Sequence, residues 1–123
     1  MDDAWYIEAS IGGWPGPAYS ARGAGATVTY EHLARYGEGE ADQVTLEVTE
    51  EELVGFWAAV DAAGVWYWAP AYDDPNVLDG THWAVTLEYA GRRVESQGSN
   101  TYPDGFEAVC AALSRLCDGR PFE

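Results

Sequence analysis

Val44-Thr45-Leu46-Glu47-Val48 runs without a linker into Thr49-Glu50-Glu51-Glu52-Leu53-Val54-Gly55-Phe56-Trp57-Ala58-Ala59-Val60-Asp61-Ala62-Ala63-Gly64, and the spacing of apolar residues changes at the junction. Over the first five residues apolar and polar side chains alternate, the period-two pattern of a strand with one buried face. Thr49 and Glu52 then stand three apart, as a capping box requires: the hydroxyl and the carboxylate satisfy orphan N–H groups reciprocally. The three glutamates also suit the positive end of a helix dipole. Leu53, Phe56, Trp57 and Val60 follow at i, i+3, i+4 and i+7, one apolar stripe for a core. Gly64 stands where a left-handed C-terminal cap is wanted. A strand feeding directly into a capped amphipathic helix makes the chain a mixed one.

Toward the N-terminus the sequence reads as β-structure. Trp5 to Ile11 is a strand ended by Gly12-Gly13, and Trp14-Pro15-Gly16-Pro17 is a rigid turn. Ala18 to Arg22 reads as a second strand and Gly23-Ala24-Gly25 as a tight connection. Thr27 to Leu33 is β-branched and aromatic, as a strand should be, and Gly37 to Asp42 is an acidic loop. Beyond Gly64, Val65-Trp66-Tyr67-Trp68 reads as an extended segment stopped by Ala69-Pro70, with a loop from Tyr72 to Gly80. Thr81 to Tyr89 and Arg92 to Gln97 form a hairpin across Ala90-Gly91. Gly98 to Pro103 launches a second helix with the stripe Phe106, Val109, Cys110, Leu113 and Leu116, ended by Gly119. The expected architecture is α+β: an antiparallel sheet with two helices packed on one face. Val28-Thr29-Tyr30-Glu31-His32 and Val85-Thr86-Leu87-Glu88-Tyr89 are alike, and each precedes a strand and a helix, so the pattern suggests a strand-strand-helix duplication.

A chain of 123 residues is one domain's worth, 1–123. Six Trp, eight Tyr and three Phe argue against disorder, because disordered chains lack aromatic residues. The net charge of −15 arises from 21 acidic residues against six arginines, with no lysine. The lysine-free, Ala- and Gly-rich composition resembles coding bias in a GC-rich bacterial genome or its phage. A field this negative repels phosphate backbones and anionic membranes and attracts basic surfaces. Direct nucleic-acid binding needs clustered basic residues, and the only adjacent pair is Arg92-Arg93. No segment approaches the roughly 18 apolar residues of a membrane span. Met1-Asp2-Asp3 is acidic where a signal peptide is basic, which points to the cytoplasm. Cys110 and Cys117, seven apart on one helix, are separated by roughly 10 Å. A disulfide needs Cα atoms within about 7 Å, so they are expected as small buried hydrophobes.

Three segments form a recurrent set: Gly12-Gly13-Trp14-Pro15-Gly16-Pro17-Ala18-Tyr19, Asp79-Gly80-Thr81-His82-Trp83 and Gly98-Ser99-Asn100-Thr101-Tyr102-Pro103. Together they resemble a family of small bacterial α+β domains with a Gly-rich first hairpin, a D-G-T-x-W strand start and a G-S-N-x-Y-P turn before the last helix. The resemblance covers most of the chain. It implies the fold above and carries no activity with it.

Candidate chemistry is sparse. Asp73 to Gly80 is oxygen-rich but lacks the spacing and closing glutamate of an EF-hand, so an Asp/Asn turn is the plainer reading and no metal is expected. His82 with Cys110 would form a nucleophilic dyad only if the thiol were activated, and Cys110 lies in an apolar stripe. G-x-S-x-G, Walker, H-E-x-x-H and C-x-x-C patterns are all absent. The expectation is therefore a non-enzyme with no catalytic residue and no cofactor.

Two binding sites compete. The first is acidic: Glu38, Glu40, Asp42, Glu47, Glu50, Glu51 and Glu52 fall within Gly37 to Glu52, with no basic residue among them. With Trp14, Trp68 and Tyr72 as surface aromatics, and Trp57, Trp66 and Trp83 inside, this set suits a basic protein partner. An inhibitor or immunity-like protein works by this logic, because a toxin or nuclease site is basic toward its nucleic-acid substrate. The alternative is a small anionic ligand held by Gln97, Ser99, Asn100 and Tyr102 at the start of the last helix, with Arg92 or Arg93 from the adjoining strand.

Overall fold

A computed structural model describes residues 4–13, 16–34, 42–73 and 80–122, with only the backbone at Asp73. The fold is α+β. Four strands come first: β1 (Trp5–Gly13), β2 (Ala18–Ala24), β3 (Thr27–Leu33) and β4 (Asp42–Glu47). Helix α1 (Glu50–Ala63), a single 3-10 turn (Val65–Tyr67) and the short β5 (Ala71–Asp73) follow. The hairpin β6 (Thr81–Tyr89) and β7 (Arg92–Ser99) leads into α2 (Phe106–Leu116). One seven-stranded sheet runs β4-β3-β2-β1-β6-β7-β5. All neighbours are antiparallel except β5, which lies parallel to β7 at one edge. The hairpins β3–β4 and β6–β7 each precede a helix, and β2 and β1 separate them in the sheet.

Register assigns the two faces. The row Val28, Gly23, Ile7, Leu87 and Val94 crosses five strands and faces the helices. One residue along, Thr29, Arg22, Glu8, Thr86 and Glu95 face solvent. Because side chains alternate, a one-residue slip in any strand would exchange these sets, and burial therefore fixes the register. Both helices pack on the inner face and against each other. Gly98 belongs to that face for a steric reason: a Cβ there would lie 2.6 Å from Nε1 of Trp83, whose ring covers it.

Helix α1 follows its sequence signals. Thr49 Oγ1 accepts from the Glu52 amide and Glu52 Oε1 accepts from the Thr49 amide, both at 3.1 Å. Phe56, Trp57 and Val60 are buried, Leu53 is half-buried, and Gly64 caps the helix at φ 74°. At the β6–β7 turn, Ala90 and Gly91 both take positive φ, which matches the twist of the flanking strands.

Several expectations need correction. Val65 to Trp68 is not a strand, and Trp66 and Trp68 share no strand face. Left-handed Gly64 reverses the chain, Val65 drops into the core, and Trp66 stacks on Trp57 while its Nε1 donates to Asp61. Trp66 is thereby half-buried rather than inside. Within the expected loop after Ala69-Pro70, residues 71–73 form β5, drawn against β7 where the Gln97 amide donates to Pro70 O. Helix α2 starts at Phe106, after Gly105 at φ 87°, rather than at Pro103. Ala112 is buried in its stripe and Cys110 only half-buried. Cys110 and Cys117 do not bridge each other. Among the described residues, no helix is long and apolar enough to cross a membrane.

Candidate functional site

Strand β4 stands at one end of the sheet order and, among the described residues, pairs only with β3. Its helix-side residues Val44 and Leu46 are half-buried, while Gln43, Thr45 and Glu47 on the solvent side are exposed. Asp42 opens the strand, exposed and opposite His32. Two residues after Glu47 the chain turns into α1, whose first three residues Glu50, Glu51 and Glu52 are exposed. The Val48 amide donates to Ala26 O at 2.9 Å and holds this corner against the β2–β3 turn.

The corner is electrostatically one-sided. Among the described residues, Asp42, Glu47, Glu50 and Glu51 make no ion pair, and Glu52 spends its carboxylate on the helix cap. One strand in, half-buried Glu31 faces Gln43 on the solvent side. Carboxylates with low-dielectric protein behind them and no described counter-charge project a negative field. Glu38, Glu40 and Trp14 lie outside the described residues, as does the stretch from Asp74 to Asp79 that holds most of the oxygen-rich loop.

The remaining surface aromatics fall elsewhere. Trp68 packs edge-on against Trp83 and stacks on Phe106, and its Nε1 donates to Asp104 O. Tyr72 packs against Trp83, and its hydroxyl accepts from the Ala69 amide. Both stand at the β7–β5 edge, across the whole sheet from β4. The most exposed aromatic among the described residues is Tyr67, 91% accessible, which the strand reading of residues 65–68 concealed.

The alternative ligand residues also separate. Arg92 opens β7 and Ser99 closes it, roughly 23 Å apart at strand rise. Arg93 is bound by Glu88 at 2.8 Å and Glu95 at 3.0 Å, and these carboxylates raise its pKa further. Arg92 pairs with Asp61 at 3.5 Å and lies over the ring of Trp66. Gln97 is exposed on the solvent face, and Ser99 Oγ shares a 2.7 Å hydrogen bond with His82 Nδ1. Asn100, at φ 56°, accepts from the Thr81 amide through Oδ1 and packs against Gly80. Tyr102 is 44% exposed beside Phe106. An open groove of about 1070 Å³ next to this turn is lined by Asp104 and Glu107 and by no arginine. Arg92 and Arg93 are engaged elsewhere, so neither supplies the cation expected at this turn.

Catalytic arrangements fare similarly. His82 is on the solvent face and α2 packs on the other, so the sheet separates His82 from Cys110. His32 stacks on Tyr19 at 5.0 Å. Burial pushes the Cys117 thiol up to about 11, which keeps it protonated and inert. No group of His, Cys, Asp and Glu able to hold a metal occurs among the described residues. No protein-family model matches the chain, and no curated protein matches it either. Neither comparison adds to the resemblance carried by the Gly-rich hairpin, the D-G-T-x-W start and the G-S-N-x-Y-P turn.

Proposed function

We propose that this chain is a non-enzymatic binding protein of the inhibitor or immunity-like kind, acting in the cytoplasm on a basic protein partner. One observation supports the reading: among the described residues, Asp42, Glu47, Glu50 and Glu51 are exposed and make no ion pair, around a sheet edge with no further strand beside it. Arg92, Arg93 and Arg120 are in ion pairs on other parts of the surface. The net charge of −15 steers a cationic surface toward the chain and repels nucleic acid. The contact set is Asp42, Glu47, Glu50 and Glu51 with the half-buried Val44 and Leu46. Trp68 and Tyr72 serve the core at the other edge.

The test is affinity capture from nuclease-treated host lysate at low and then moderate salt, followed by binding measurements on the captured protein. A stoichiometric basic partner released by salt is expected. Glu50→Lys with Glu51→Lys leaves the Glu52 cap intact and should weaken binding by about ten-fold or more. Affinity unchanged by that double reversal would sink the acidic-corner mechanism.

A further inference from the structure

We infer that the open edge of β4 accepts an extended basic segment of the partner as an added strand. This rests on the basic-partner reading and specifies how contact is made. The Val48 amide bonds Ala26 O, and these two residues continue the ladder in which Glu47 faces Thr27 and Leu46 faces Val28. Antiparallel pairs alternate between hydrogen-bonded and non-hydrogen-bonded. Counting back from Val48, the residues bonded to β3 are Leu46, Val44 and Asp42. Gln43, Thr45 and Glu47 therefore turn their N–H and C=O groups away from β3, and among the described residues no strand lies on that side.

This row is a template for strand addition, a state that natural sheets usually block with short edges, proline, bulges or charge. Strand β5, at the other edge, is blocked by being three residues long. Strand β4 is six residues long and has no proline, so charge is its protection. That protection is selective. A second copy laid antiparallel along β4, with Thr45 opposite Thr45, would set Glu47 beside Gln43 and bring together two chains that each carry −15, at a cost in like-charge repulsion. A strand of opposite charge meets no such penalty. Its outer side chains would face Glu47, with Glu31 behind, and its alternate side chains would meet Val44 and Leu46. The occupant is thus a segment in which Arg or Lys alternates with apolar residues.

The probe is the capped peptide Arg-Val-Arg-Val-Arg-Val, compared with the same sequence N-methylated at every peptide bond. Amide exchange is followed by NMR on the whole chain. In the free protein, Val44 and Leu46 amides should be protected and those of Gln43, Thr45 and Glu47 should not. The unmethylated peptide should slow exchange at Thr45 by about ten-fold or more, and the methylated peptide should leave it unchanged. Thr45→Pro removes an outward donor at an edge position where proline is tolerated, and should abolish peptide binding while Val44 and Leu46 stay protected. If both peptides bind alike and both are lost on Glu50→Lys with Glu51→Lys, strand addition is wrong while the basic-partner reading stands. If neither peptide binds at low salt, strand addition also fails, and the basic-partner reading then falls only if lysate capture yields no salt-sensitive basic protein. A concentration-dependent dimer that Thr45→Pro dissolves would overturn the proposal by making a second copy the occupant.

Discussion

The two edges of the sheet differ in what covers them. Along β7 and β5, Trp83 is enclosed by Trp68, Tyr72 and Phe106, and its Nε1 donates to Thr101 O at 2.9 Å. Buried Ser96 ties that edge to the chain above it by donating to Ala69 O at 2.6 Å. Along β4, Val44 and Leu46 are only partly covered, and the cross-strand side-chain contact is the exposed pair Thr29 and Thr45. Between them, β3 still belongs to the closed region: Tyr30 is buried and donates to Pro121 O. Stability therefore concentrates from β3 to β5, and β4 is the strand with the least cover. A local opening there would expose little apolar area, so it is the part of the sheet that unfolds most cheaply.

The sharpest way to break that contrast is Trp83→Ala, which should cost about 3–5 kcal/mol in urea denaturation. That is a large share of the roughly 5–15 kcal/mol that holds a domain of this size. A loss near that of an exposed site would mean the aromatic cluster is not the stabilising edge. Alkaline titration comes next and locates where the closed region ends. Burial raises the thiol of Cys117 from 9.0 to about 11 and also raises Tyr30 above 10.0. The folded state thus keeps a proton that the unfolded chain releases. Stability should be intact below pH 9 and fall as pH rises through about 11, by up to about 3 kcal/mol from Cys117 alone. Cys117→Ala should flatten the slope, and an unchanged profile would place the thiol outside the closed region.

Thr49→Ala removes one half of the capping box at the open corner and should cost about 1 kcal/mol by thermal or urea melting. Leu46→Ala should cost about 1 kcal/mol or less, against about 2–5 kcal/mol for Leu87→Ala in the centre of the same sheet. Equal losses at Leu46 and Leu87 would erase the distinction between the edges.

What could be read in advance follows the range of the interactions concerned. The capping box, the left-handed Gly64 and the hairpin at Ala90-Gly91 each depend on residues a few positions apart, and all three are in the structure as their sequence implies. Thr27–Leu33, read from its β-branched and aromatic residues, and Thr81–Tyr89, read as half of a hairpin, keep their bounds. Strand β5 was illegible because three residues carry no period, and β7 alone makes them a strand. Residues 65–68 misled for a related reason: Trp and Tyr favour strands, but the stack of Trp66 on Trp57 and its bond to Asp61 hold a 3-10 turn. At the candidate site the acidic residues were visible as a list. Their meaning needed the sheet order, since no local pattern tells an edge strand from a central one. The split between Arg92 and the Asn100 turn was implicit in the length of β7, because the ends of an eight-residue strand cannot meet at one small ligand.

Strand β1 is made first and ends up in the middle of the sheet, with Trp5 paired to Tyr89. While the ribosome has delivered only β1 to β4, one flank of β1 has no neighbour, and the inward side chains Ile7, Ala9 and Ile11 lack both the hairpin beside them and the second helix above them. The nascent protein thus carries a temporary second edge, at its most hydrophobic strand, until β6 has cleared the exit tunnel. Contacts that close only across such long stretches of chain favour slow folding. A strongly negative chain with no lysine keeps neighbouring copies on a polysome apart during that wait.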